Sequence, residues 1–192
     1  MHTSGRFEGA LSGIVTAYKD QDRRDIASVL SGLLASAVDA ALVADPGVRR
    51  AVGGRRAPVL LVPVPSSRAS RRRRGDAPLE GLATLAARGF SAEEVVVDRA
   101  LRVRRRVADQ AGLGATDRHL NVEHSMVLRP ASSAAVRGSA CVLVDDVLTT
   151  GATLVEAARA LRSGGAGVVV AATICATQRR ARAPRTFGAG PR

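Results

Sequence analysis

Three continuous apolar runs constrain this chain most strongly. They are "APVLLVPVP" (57–65), "ACVLV" (140–144) and "GVVVAATIC" (167–175). Strands without polar alternation are buried on both faces, as in a parallel sheet that helices cover on both sides. The prolines that bound the first run indicate that this strand stops abruptly.

Helical periodicity precedes and separates these runs. Apolar residues recur at helical spacing in "DIASVLSGLLASAVDAAL" (25–42), and shorter helices are predicted at roughly 8 to 19, in "PLEGLATLAARGF" and in "GATLVEAARALRSGG". Further short strands are predicted in "EEVVVDRAL" and at Met126–Leu128. Residues 45–56 are predicted to form a connector, 102–121 a mobile basic region, and the residues from 129 through Gly138 a polar loop.

This pattern predicts a single α/β domain with a mainly parallel, twisted sheet flanked by helices. Residues 1–50 form an N-terminal helical segment, which we interpret as hood-like. Residues 57–178 form the α/β domain, and 179–192 are predicted to be a basic, disordered tail.

Composition narrows the function classes. No signal peptide pattern follows Met1, and the apolar stretch near Gly167–Ala176 is too short to span a bilayer, so we expect a cytoplasmic protein without membrane contact. Cys141 and Cys175 lie in apolar runs and are interpreted as buried thiols, without a zinc site.

The net charge of +12 comes from 28 arginines and a single lysine. GC-rich codon usage and anionic partners, nucleic acid included, remain alternative explanations of this excess.

Two adjacent carboxylates follow the second apolar run. Asp145 and Asp146 stand where the predicted strand 141–144 ends, at the edge of a parallel sheet where ligands gather. Without partners they would be costly to bury, so we expect them to face hydroxyl groups, a cation or water. Sugar hydroxyls and Mg²⁺ are their natural partners.

A small-residue turn comes directly after the acids. "LTTGAT" leads into a helix, so free backbone N–H groups, threonine hydroxyls and a helix N-terminus form a phosphate cradle in Leu148, Thr149, Thr150, Gly151, Ala152 and Thr153. The alternative is that Asp146 or Thr150 merely caps a helix. Neither a P-loop nor a dinucleotide fingerprint occurs.

The string "VLVDDVLTTGAT" resembles the phosphoribosyl pyrophosphate (PRPP) motif of type I phosphoribosyltransferases. "VPVPSSRASRRRRG", "VADQAGLGATDRHLNV" and "FEGALSGIVTAYKDQDRRDIA" are similar to segments of the ComF/GntX branch, which is linked to bacterial competence and DNA uptake. The chain departs from that branch in lacking a four-cysteine zinc module and in reading "RGDAP" where "RGFNQ" is common.

The resemblance implies roles for particular residues. Asp145 and Asp146 would contact the ribose hydroxyls, act as the catalytic acids and take part in holding Mg²⁺, mainly indirectly. Residues 148–153 would bind the 5′-phosphate. The pyrophosphate-side loop would contain Pro65, Ser66, Ser67 and Arg68. A mobile loop would contain Arg104, Arg105, Gln110 and Arg118.

Two functions remain open. The first is a Mg²⁺-dependent phosphoribosyltransferase that acts on PRPP and a small acceptor, which the sequence does not identify. The second is a non-catalytic PRPP- or nucleotide-binding accessory protein of DNA uptake, which would use its positive charge to bind nucleic acid. A homodimer through the outer helices is compatible with either. The less favoured proton carriers are Asp109, His119 and His124.

Overall fold

A five-stranded sheet with helices on both faces forms the body of the protein. The computed structural model describes residues 1–54, 57–65, 77–104 and 124–177. The strands are β1 His2–Arg6, β2 Val59–Pro63, β3 Val95–Val97, β4 Leu101–Val103, β5 Met126–Leu128, β6 Ala140–Leu148 and β7 Val168–Ala176. The helices are α1 Gly9–Asp20, α2 Ala27–Ala44, α3 Pro46–Gly53, α4 Pro78–Ala87, α5 Ser133–Val136 and α6 Ala152–Ser163.

The sheet is parallel throughout. Its strand order is β1-β7-β6-β2-β3, and each neighbouring pair runs in the same direction. The three apolar runs of the sequence form the three inner strands, as expected for strands that are buried on both faces. Strands β4 and β5 pair with each other in a separate antiparallel sheet. The predicted α/β class is confirmed.

Two hydrophobic cores lie on opposite faces of the sheet. Helices α1 to α4 cover one face, where Leu30, Leu34 and Val38 of α2 are fully buried. Helix α6 and the β4–β5 pair cover the other face. Side chains alternate along β6, so that Val142 belongs to the first core and Leu143 to the second. The sheet is therefore covered on both sides, which positions its carboxyl edge as the accessible rim.

Three parts of the fold differ from the sequence prediction. Residues 45–54 are not a connector, because Asp45 caps a helix by accepting hydrogen bonds from the N–H groups of Gly47 and Val48, and Pro46 begins it. The polar loop before Gly138 contains the short helix α5. The segment "EEVVVDRAL" supplies two strands, because the chain leaves the main sheet after β3 and pairs with β5 instead.

The N-terminal residues also contribute to the sheet. Strand β1 pairs with β7 through registers such as His2↔Ala172, and helices α1 to α3 share one core with the sheet. The hood-like division at residue 50 stays a prediction. The tail at 179–192 lies outside the described residues.

Helix α2 belongs to the longest and most apolar helical segment among the described residues. The segment Arg24–Ala44 has 21 residues, and its most apolar stretch of 18 residues has a mean hydropathy of 1.9, so by length and composition alone it would suffice to cross a bilayer. It is longer than the apolar stretch near Gly167–Ala176, on which the prediction of no membrane contact was based. In the fold, α2 packs on β7 and α4 as a core helix, with Leu30, Leu34, Val38 and Ala41 fully buried. The cytoplasmic location remains a prediction.

Candidate functional site

Strand β6 carries the acid pair beyond the end of its neighbour β2. Pairing with β2 reaches Pro63↔Val144, whereas pairing with β7 continues to Leu148↔Ala176. The prediction that the strand ends at Val144 is therefore wrong, because β7 keeps residues 145–148 extended. On the β2 side these residues have no strand neighbour among the described residues.

The two carboxylates are half-buried, and each accepts a local hydrogen bond. The N–H of Asp146 donates to Asp145 Oδ1 at 2.9 Å, and the N–H of Val147 donates to Asp146 Oδ1 at 2.7 Å. Neither side chain is sealed in the interior. The expectation that the acids face a ligand stays a prediction.

The acids differ in their surroundings. Burial, and then the negative charge of Asp146, raise the pKa of Asp145 to about 7, against a smaller opposing effect of Lys19. Asp146 instead has a cation beside it, since Lys19 Nζ lies 2.7 Å from Asp146 Oδ1. The site thus combines a carboxyl group that protonates near neutral pH with one that a lysine neutralises.

The turn after β6 has the features of an anion site. The backbone N–H groups of Thr149, Thr150, Gly151 and Thr153 have no hydrogen-bond partner among the described residues, while the N–H of Ala152 donates to Thr150 Oγ1 at 3.3 Å. The turn opens helix α6, whose positive end adds to the attraction for a negative group. Thr149 and Thr150 are exposed, so their hydroxyls are accessible to a ligand.

Gly151 is required for its backbone conformation. Its φ is 79°, in the left-handed region that residues with a Cβ rarely adopt. A Cβ there would lie 3.5 Å from Leu148 Cδ1, which is an ordinary contact. A glycine is therefore needed at this position for its backbone conformation and not because a Cβ would collide with a neighbour.

The remaining predicted residues lie partly outside the described ranges. Pro65 is buried and follows Val64, whose N–H donates to the carbonyl of Val144 at 3.0 Å, so the start of the predicted pyrophosphate loop borders the acid strand. Arg104 is exposed at the end of β4. The predicted residues that lie outside the described residues are Ser66, Ser67, Arg68, Arg105, Asp109, Gln110, Arg118 and His119.

A buried carboxylate links helix α6 to the β4–β5 pair. Glu156, with 4% exposure, accepts hydrogen bonds from the N–H of Met126 at 2.9 Å and from Arg159 at 2.7 and 2.9 Å. Arg159 also donates to the carbonyl of Met126 at 3.0 Å. Arg159 holds the pKa of Glu156 below its usual value. His124, a predicted proton carrier, lies two residues before Met126, and its backbone also helps to lower the pKa of Glu156.

Two residues near the site, Lys19 and Glu156, were not predicted from the sequence. Lys19 had a signal, because it is the one lysine in a chain of 28 arginines. The signal for Glu156 was weaker. It is an acidic residue within a helical pattern whose apolar residues are buried. The contact of Lys19 with Asp146 and that of Glu156 with Met126 were not readable, because each joins segments that are far apart along the chain.

The donor set fits Mg²⁺ only in part. No cluster of three or more His, Cys, Asp or Glu side chains occurs within residues 1–54, 57–65, 77–104 and 124–177. Two carboxylates, one already bound to Lys19, suit a cation that a ligand's oxygens also hold. Asp145 and Asp146 are the residues that would take part.

Comparison with known proteins finds one family model and one curated protein that are similar to parts of this chain. The family model described as "Phosphoribosyl transferase domain" matches residues 81–187, more than half of the chain. A ribose-phosphate pyrophosphokinase of Methanopyrus kandleri is 51% identical over 55 residues, which are 29% of this chain and 19% of that protein. The chain thus spans about a fifth of the curated relative it matches.

Two solved structures are distantly similar. The allosteric regulatory enzyme of purine biosynthesis shares 18% identity over 83% of this chain and 30% of its own, with a TM-score of 0.49. The hypoxanthine phosphoribosyl transferase of Trypanosoma cruzi shares 15% identity over 83% of this chain and 70% of its own, with a TM-score of 0.46.

Proposed function

Because the chain belongs to the phosphoribosyl transferase domain family, we propose that it binds PRPP and transfers the phosphoribosyl group to an acceptor with release of pyrophosphate. One observation carries the proposal. The acid pair on β6 is followed at once by a turn at the start of α6 in which four N–H groups have no hydrogen-bond partner within the described part of the chain. A ribose 5-phosphate has hydroxyls at one end and a dianion at the other, and this site offers acceptors and donors in the same order.

Each end of the sugar has its own binding group. Asp145 and Asp146 accept hydrogen bonds from the ribose hydroxyls, which fixes the ring. The N–H groups and hydroxyls of residues 149–153 bind the 5′-phosphate, aided by the positive end of α6. Held at both ends, the ring has little freedom, so the reacting carbon is presented in one orientation.

The leaving group departs from the side of β2. The bond between the anomeric carbon and the pyrophosphate oxygen breaks, the bond to the acceptor forms, and positive charge develops on the ring as in glycosyl transfer generally. The negative acid pair lies beside the ring and stabilises that charge. Asp145 and Asp146 would take part in holding Mg²⁺ together with PRPP, and the metal would supply positive charge for the pyrophosphate group.

We further propose that the chain belongs to the ComF/GntX branch. The segments at 7–27, 62–75 and 107–122 support this by their similarity to that branch. The missing four-cysteine module and the "RGDAP" departure limit the resemblance to the remaining segments. The acceptor is described only as a small nucleophile.

The second candidate is a non-catalytic accessory role in DNA uptake. The net charge of +12 favours it, because clustered arginines bind nucleic acid through its phosphates. This role predicts DNA binding that weakens steeply with salt and is unaffected by Asp145→Asn. The transferase role predicts no salt-dependent DNA binding with which PRPP could compete.

Release of pyrophosphate tests the transferase proposal. Wild-type protein with PRPP, Mg²⁺ and a panel of nucleobases should release pyrophosphate, and Asp145→Asn/Asp146→Asn should lose at least about a hundredfold in rate. Asp39→Asn, which removes an exposed carboxylate on α2, is the matched control and should behave as wild type. Equal rates for the double variant and the wild type would reject the proposed roles of the acids.

A further inference from the structure

Helix α1 places a cation directly on the acid pair. Lys19 Nζ lies 2.7 Å from Asp146 Oδ1, and the two side chains are 29% and 19% exposed. This ion pair is largely covered, so solvent screens it less than a surface pair. Lys19 is also the single lysine of the chain.

The neighbours of Lys19 fix its backbone. Tyr18 is buried, and its hydroxyl donates to the carbonyl of Pro78 at 3.3 Å. The guanidinium of Arg24 lies 4.8 Å from the centre of the Tyr18 ring. Lys19 stands in the last turn of α1, where a helix favours a cation. The buried Tyr18 therefore anchors the turn of α1 that carries Lys19.

One oxygen of Asp146 is held by two donors. Oδ1 binds Lys19 Nζ at 2.7 Å and the N–H of Val147 at 2.7 Å. Such an oxygen has a fixed direction, and with it the whole carboxylate is fixed. The positive charge also offsets part of the negative charge that Asp145 and Asp146 present together.

We propose that Lys19 is a positioning residue that makes the acid pair select sugar hydroxyls over a free divalent cation. The inference rests on the proposed function, since it concerns which ligand that site prefers. A divalent cation gains affinity with each negative charge that surrounds it, so a lysine on one of two carboxylates weakens its binding. A hydroxyl gains from an acceptor whose direction is fixed in advance.

Metal binding in the absence of sugar gives the first test. Mn²⁺ alone should bind wild-type protein weakly, by calorimetry or electron paramagnetic resonance. Lys19→Met should bind Mn²⁺ about five- to tenfold more tightly, because the pair regains its charge. Lys19→Arg should keep the wild-type value, and Lys19→Met/Asp146→Asn should lose the gain.

Sugar binding in the absence of metal gives the second test, in which Lys19→Met should lose affinity and not gain it. Ribose 5-phosphate, titrated in the presence of a chelator, should bind Lys19→Met at least about threefold more weakly than wild type. Lys19→Arg should restore the affinity. Unchanged Mn²⁺ binding in Lys19→Met, or unchanged ribose 5-phosphate binding, overturns the inference.

A spectroscopic signal covers the case in which Lys19→Met fails to fold. Protein labelled with ¹⁵N-lysine has a single side-chain ammonium resonance, that of Lys19. Ribose 5-phosphate should shift it at concentrations at which Mg²⁺ alone does not. A shift with Mg²⁺ alone would overturn the inference. Failure of wild type to bind ribose 5-phosphate or PRPP at all would instead reject the proposed function, while the Mn²⁺ comparison still decides the effect of Lys19 on cations.

Discussion

The carboxylate of Glu156 accepts a hydrogen bond from the backbone N–H of Met126, 2.9 Å away, and so ties strand β5 to helix α6. The same helix begins directly after the turn at 149–151. The β4–β5 pair is thereby fixed relative to that turn. The mobile region was predicted at 102–121, and this is wrong for residues 102 and 103, which belong to strand β4.

Loss of this carboxylate should destabilise the fold. Glu156→Ala leaves the Met126 N–H without its acceptor and the Arg159 guanidinium with only the Met126 carbonyl, and we expect the free energy of unfolding to fall by about 2–4 kcal/mol. Urea denaturation measures it. Glu93→Ala, at an exposed position, should change stability by less than about 0.5 kcal/mol. Similar values for the two variants would show that the Glu156 contacts contribute little.

Gly151→Ala should weaken both stability and phosphate binding. The left-handed φ of 79° costs a residue with a Cβ about 1–2 kcal/mol, and relief of that strain would move the N–H groups of the turn. Gly13 offers the matched control, since it is an exposed residue inside α1 with no atom within 4 Å of a Cβ. Gly13→Ala should raise stability by about 0.5–1 kcal/mol in the same thermal unfolding assay. A stabilised Gly151→Ala protein would contradict the account of the turn.

The stability of the protein should fall as the pH rises from about 4 to about 7. The pKa of Asp145 is raised in the folded state to about 7, so over this range the folded protein retains a proton that the unfolded chain has released. The stabilisation is complete below the pKa of the unfolded state and is lost as the pH approaches the folded pKa. At most about 1.4 kcal/mol is lost per pH unit.

Thermal unfolding at pH 5 and pH 8 measures this effect. Asp145→Asn should remove most of the difference and should be more stable than wild type at pH 8. Asp39→Asn should keep the difference. A wild-type protein that gains stability from pH 5 to pH 8 would show that Asp145 is ionised in the folded state throughout.

Both cysteines should be unreactive in the folded protein. Burial raises the pKa of Cys141 to about 12 and that of Cys175 to about 11, and neither thiol is exposed. The structure confirms the predicted free, buried thiols. Titration with a thiol reagent should detect neither in native protein and both after denaturation. Rapid reaction of either thiol in the native state would mean that the strand carrying it opens easily.

The sequence predicted the parts of the fold whose patterns are local. The inner strands and helices α1, α2, α4 and α6 follow from apolar runs and helical spacing. Strand β1 was missed because "HTSGR" has no apolar pattern, and its conformation depends on pairing with β7. Helix α3 was missed although Asp45 and Pro46 form a start signal, because the glycines and arginines after them suggested a connector.

In the candidate site, too, only the features that are local in the sequence were predictable. The acids and the turn are adjacent in sequence, so their chemistry was readable. The extra length of β6 was not, since it depends on β7, and two consecutive acids suggested the end of a strand. The Lys19–Asp146 contact depends on how α1 packs on the sheet, which local patterns do not encode.

Calorimetric titration with PRPP tests the central claim most directly. Wild-type protein in Mg²⁺ should bind one PRPP per chain, and Asp145→Asn/Asp146→Asn should reduce the affinity at least about a hundredfold, with Asp39→Asn unchanged. Binding of equal affinity by the wild type and the double variant would contradict the claim that this acid pair holds the ribose.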